Sequence, residues 1–114
     1  MATASFVQDG KSIDYTPSSA VSAGDVVVLN DLVAVARKGI AAGELGALAV
    51  EGVFDFPKDT GTSTGIAVGK VVYWDVADQE AKEDDESGAN ERIGITVAAA
   101  SDSASTVRVK LDPA

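Results

Sequence analysis

Leu48, Val50, Phe54 and Phe56 stand two residues apart on either side of Gly52, within residues 43–58. An apolar residue at every second position is the pattern of a strand with one buried face. A glycine at the midpoint bends the backbone, or hands it to the next strand, with no Cβ in the way. The stretch therefore reads as one kinked strand, or two consecutive strands, through the middle of a β domain. It holds two of the three phenylalanines, so much of the aromatic core belongs here. Pro57 offers no backbone N–H, which confines the end of the run to a sheet edge or an exit from the sheet.

The same short-strand grammar extends in both directions. Residues 4–8, the turn Asp9-Gly10 and the alternating Ser12-Ile13-Asp14-Tyr15-Thr16 predict an opening hairpin. Val26-Val27-Val28-Leu29 reads as a strand buried on both faces or paired centrally, and Asn30-Asp31 turns it into residues 32–38 as a second hairpin. Ala, Leu and Arg in 32–38 would permit a helix, but Val33 and Val35 at period two, with Gly39 soon after, favour a strand. Gly24, Gly43 and Gly69 each stand one residue before a polar residue that opens a Val- or Leu-rich run. Their spacing is too uneven for a repeat array, so the pattern is one turn chemistry used three times, with glycine supplying a positive φ at the corner.

In Val71-Val72-Tyr73-Trp74-Asp75, Val72 and Trp74 share one face. Trp74 reads as a core plug, or otherwise as a subunit-interface anchor beside Tyr73, which makes Tyr73 and Trp74 the interface candidates. Residues 92–98 and 105–111 predict a closing antiparallel pair, with Ile93, Ile95 and Val97, and Val107, Val109 and Leu111, pointing inward. Arg108 and Lys110 point outward, to solvent by preference or to an acidic neighbour. The expected fold is all-β: a small antiparallel sandwich or barrel, jelly-roll-like, with little or no helix. At 114 residues the chain reads as a single domain over 1–114.

Charge and missing residue types narrow the function. Eighteen acidic against nine basic residues give a net charge of −9, a field that repels phosphate backbones, and the basic residues do not cluster in sequence. Cys and His are both absent, which removes a thiol nucleophile, a disulfide frame, the usual zinc ligands and imidazole acid/base chemistry. No catalytic, cofactor or metal site is expected, and no enzyme activity. Residues 61–65 hold two glycines, but three residues separate them and Ile66 follows, so a Walker A phosphate loop is not formed and residues 58–65 read as a surface loop. Residues 78–91 carry seven carboxylates against one lysine and read as a solvated, mobile acidic loop lacking the calcium-loop spacing. No apolar run approaches the ~20 residues that span a bilayer, and the first residues lack a leader's basic and apolar regions. A protein of the producing cell's cytoplasm, without nucleic-acid or membrane partners, is expected.

Phe6-Val7-Gln8-Asp9-Gly10 with Ile13-Asp14-Tyr15-Thr16, Gly24-Asp25-Val26-Val27, Ala42-Gly43-Glu44 with Ala49-Val50-Glu51-Gly52-Val53-Phe54, Gly69 with Val72-Tyr73-Trp74-Asp75, Ile93-Gly94 and Val107-Arg108-Val109-Lys110-Leu111 together resemble, in order, the capsid cement or decoration proteins of tailed phages. The resemblance implies a homo-oligomer, a dimer or trimer, bound to the outer surface of an assembled capsid and made in the host bacterial cytoplasm. Its partner is the phage major capsid protein, and its role is structural. Members have often carried a RecA/RadA-like recombinase label, which this chain argues against: it has no Walker A lysine and no second nucleotide motif. An N-terminal arm over residues 1–6, with Ala2, Thr3, Ala4, Ser5, Phe6 and Val7 as the capsid-binding candidates, would add a strand to an open edge of the lattice. The alternative is a monomeric glycan- or ligand-binding β module, for which Tyr15, Tyr73 and Trp74 are the only aromatics on offer besides phenylalanine.

Overall fold

The computed structural model describes residues 3–112. Nine strands and no helix make up its regular structure: β1 (Ser12–Tyr15), β2 (Val26–Leu29), β3 (Leu32–Val35), β4 (Gly46–Ala49), β5 (Val53–Pro57), β6 (Val71–Asp75), β7 (Glu80–Lys82), β8 (Glu91–Thr96) and β9 (Thr106–Leu111). They form two antiparallel sheets, β1-β4-β3-β2 and β5-β9-β8-β6-β7. The chain passes between the sheets once, at Gly52, where φ is 121°. It does not alternate between them strand by strand as in a jelly roll proper. Residues 43–58 are thus two strands, and Pro57 closes β5 at a sheet edge, where its missing donor costs nothing.

The core lies between the sheets. Val33 and Val35 of β3 pack against Phe56, Val72, Trp74, Ile93, Val107, Val109 and Leu111 of the second sheet. Phe56 meets Trp74 edge to face, with centroids 5.9 Å apart and planes at 61°, the geometry that aromatic quadrupoles favour. The alternate residues of β3, Ala34 with the following Ala36, join Leu48 and Ile40 in a second cluster on the far face of the first sheet. Small side chains thus let β3 be apolar on both faces. Gly24, Gly43 and Gly69 all have positive φ (91°, 78° and 82°), as the turn chemistry requires.

Several expectations are corrected. The opening hairpin is absent: β1 pairs with β4, with Ile13 opposite Leu48. Leu48 is fully buried, so this pairing puts Ile13 into the second cluster, whereas Phe6 and Val7 of residues 4–8 stay exposed. The Val26–Leu29 run is an edge strand, not a central one, although its two faces do touch the two clusters. The hairpin around Asn30-Asp31 forms, Leu29 facing Leu32 and Asn30 taking a φ of 56°.

In β8 the inward series breaks. Val72 faces Gly94 and Tyr73 faces Arg92, leaving Ile93 as an extra residue. This bulge resets the pleat, so Thr96 is buried and Val97 is 42% exposed. The Thr96 hydroxyl donates to the Ala67 carbonyl (2.8 Å) and accepts from Lys70 N–H (2.9 Å), so its burial leaves no polar atom unmatched. Arg108 is not simply solvated: it sits opposite Asp55 on β5 and donates to both carboxylate oxygens, at 3.0 and 3.3 Å. The pair lowers the Asp55 carboxyl and raises Arg108 through that shared hydrogen bond.

Candidate functional site

Thr3, Ala4, Ser5, Phe6 and Val7 of the arm are exposed and belong to no strand; Ala2 lies outside the described residues. Phe6 and Val7 are each 84% exposed, an unusual state for an aromatic and a branched aliphatic side by side. The nearest tie is Gln8, whose Nε2 donates to the Ser12 carbonyl at 2.8 Å and fixes the segment's base against β1. The segment thus combines a backbone outside any ladder with two large apolar side chains that little in the described chain covers.

The interface candidates separate. Trp74 takes the core role, 2% exposed, whereas Tyr73, on the opposite face of β6, is half-buried. Tyr15 packs in the second cluster on the other sheet. A glycan module needs stacked aromatics on one face, and these three do not share one.

Residues 78–91 are more organised than their composition suggests. Glu80–Lys82 forms β7, with Ala81 buried. Lys82 Nζ lies 2.9 Å from Asp75, 2.5 Å from Asp78 and 3.9 Å from Glu86. The Lys82 hydrogen bond, joined by the Asp78 N–H, holds the Asp75 carboxyl down at about 2, and the same two aspartates raise Lys82. Beyond β7, Glu86, Ser87 and Gly88 run at positive φ in a left-handed turn, braced by the buried Asn90, which donates to the Asp84 carbonyl and to Glu86 Oε2. One cation and one amide therefore order a run whose like charges would otherwise keep it open. Among the described residues no group of three or more acidic side chains is arranged to hold a metal ion.

Residues 58–65 also depart from a plain surface loop. Lys58 is buried, 4% exposed, and its Nζ donates to the Asp59 carbonyl (2.5 Å), Thr64 Oγ1 (3.2 Å) and the Asp102 carbonyl (3.5 Å). The Asp102 carboxylate accepts from Gly65 N–H and Ser63 N–H. The cation is spent on fastening two loops, not on an external anion.

A model of the phage cement protein family matches residues 7–111. The chain belongs to the phage cement proteins. Membership makes it a capsid-associated structural protein of a virion. The match begins within the arm, at Val7, and takes in every strand of both sheets. No curated protein and no solved structure matches the chain.

Sequence reasoning passed over one feature of this cement protein. Lys11, Arg37 and Lys38, scattered in the chain, line a single groove of about 960 Å³ together with Leu45, Ala47 and Glu51. The pairing of β1 with β4 brings residue 11 to the end of β3, a long-range register that local spacing does not encode.

Proposed function

We propose that this cement protein binds the outer surface of the phage capsid and clamps neighbouring copies of the major capsid protein, acting as a homo-oligomer without enzymatic chemistry. The observation that carries the reading is family membership across nearly the whole chain. The exposed arm supports the manner of binding. Strand addition supplies main-chain hydrogen bonds, and Phe6 and Val7 offer side chains for pockets in the partner. Several arms on one oligomer act together. Once one is seated, the others bind at an effective concentration on the order of mM, and avidity rises by ~10²–10⁴ over a single arm. The net charge of −9 keeps decorated particles apart and away from released nucleic acid.

The test is co-sedimentation of purified protein with expanded capsids that lack it, repeated with residues 2–6 deleted. Stoichiometric binding by the full chain, lost on deletion, is expected. Absence of binding by the full chain would overturn the function, and binding retained after deletion would remove the arm from it.

A further inference from the structure

The groove beside β4 gathers positive charge on an acidic molecule. It is lined by three of the nine basic residues and by one of the eighteen acidic ones, a net +2, which leaves the rest of the chain at −11. Lys11, Arg37 and Lys38 are exposed, and among the described residues none of their side chains forms an ion pair or hydrogen bond. Elsewhere Lys82, Arg92 and Arg108 are each paired with a carboxylate. Three like charges held along one groove repel one another, and an acidic segment relieves that repulsion. The groove also has backbone to offer. β3 pairs with β4 only at Val35 and Ala49, so β4 from Gly46 to Leu48 has no strand beside it on that side. Leu45, 71% exposed, stands at its entrance.

We propose that this groove seats the acidic turn of a second copy, Glu83-Asp84-Asp85-Glu86, so that the protein's own charges join its copies. The inference rests on the homo-oligomeric reading above and names its joint. All four acidic residues are exposed. The turn is set in shape before binding: Asp84 and Asp85 each use one carboxylate oxygen to accept from Glu86 N–H (2.8 Å) and Ser87 N–H (3.2 Å), and Asn90 holds the base. Such pre-organisation lowers the entropy lost on docking. Groove and turn belong to different sheets and make no ion pair within one molecule. Between copies they meet across a two-fold axis or head to tail around a ring. A shell protein with an acidic segment would compete for the same seat.

The experiment is sedimentation velocity of the free full-length protein at about 0.1 and about 0.5 M NaCl, between which the Debye length falls from about 10 Å to about 4 Å. Three variants accompany it: Lys11→Glu/Arg37→Glu/Lys38→Glu, Glu83→Lys/Asp84→Lys/Asp85→Lys, and both sets in one chain, which restores the net charge of −9. Thermal melts verify that each folds. The wild type is expected to associate, with an association constant falling by at least ~10-fold at the higher salt. Each single set is expected to give monomer, and the combined set to associate again. A monomeric wild type, a groove variant that still associates, or a folded combined variant that stays monomeric would each overturn the proposal. Capsid co-sedimentation of the same samples is read separately. Loss of capsid binding by a groove variant that remains oligomeric assigns the groove to the shell protein instead, and association without any capsid binding by the wild type overturns the cement reading while leaving the joint intact.

Discussion

At Gly94 a single hydrogen decides whether two strands can meet. A Cβ there would stand 1.9 Å from the Lys110 carbonyl oxygen and 2.7 Å from Asp112 N, both backbone atoms that cannot swing aside. Gly94→Ala is expected to destabilise the fold by roughly 3 kcal/mol, read as a lower urea midpoint with an unchanged slope. Asp75 supports a prediction about acid. Its carboxyl is held at about 2 against an ordinary 3.8. The stability it contributes is therefore complete above about pH 4 and is lost as the pH falls through 3.8 toward 2. Lys82→Met removes the principal cause, so the variant's melting temperature should fall less steeply than the wild type's between pH 4 and 2. Equal slopes would assign the acid limb to other carboxylates.

Among the elements, the joint between β4 and β5 carries the change of sheet. Gly52 sits at a φ of 121°, a region closed to residues with a Cβ, and a Cβ there would also press on the Phe54 ring at 3.3 Å. Gly52→Ala is expected to cost about 1–3 kcal/mol, measured by chemical denaturation, although the residue is exposed. The alternation of Leu48, Val50, Phe54 and Phe56 about this glycine was legible because each strand obeys its own local period. The bulge at Ile93 was not legible. Ile93, Ile95 and Val97 alternate perfectly in sequence, yet the partner strand β6 imposes an extra residue and turns Thr96 inward.

For the molecule as a whole, the proposed arm is expected to be separable from the sandwich. Residues 3–7 are exposed and outside both sheets, so deleting residues 2–6 should shift the melting temperature by less than ~1 °C while abolishing capsid co-sedimentation. A large loss of stability would mean the segment is part of the fold. The distribution of charge also belongs to this scale. The total of −9 is a property of composition, whereas the positive groove exists only because β1 crosses to β4 and carries Lys11 to Arg37 and Lys38.

The amino-acid sequence by itself determined the class of fold, the positions of most strands, the glycine corners and the family, because these follow from side-chain period, backbone permissiveness and ordered motifs. Tertiary structure alone decided which strands pair, where the pleat is reset, that Lys58 is buried and that the acidic run is ordered around Lys82 and Asn90. Those outcomes depend on contacts between residues far apart in the chain. Packing a half-buried Ile13 against Leu48 outweighs a nearby turn signal, and one well-placed ammonium offsets the repulsion that composition alone would predict.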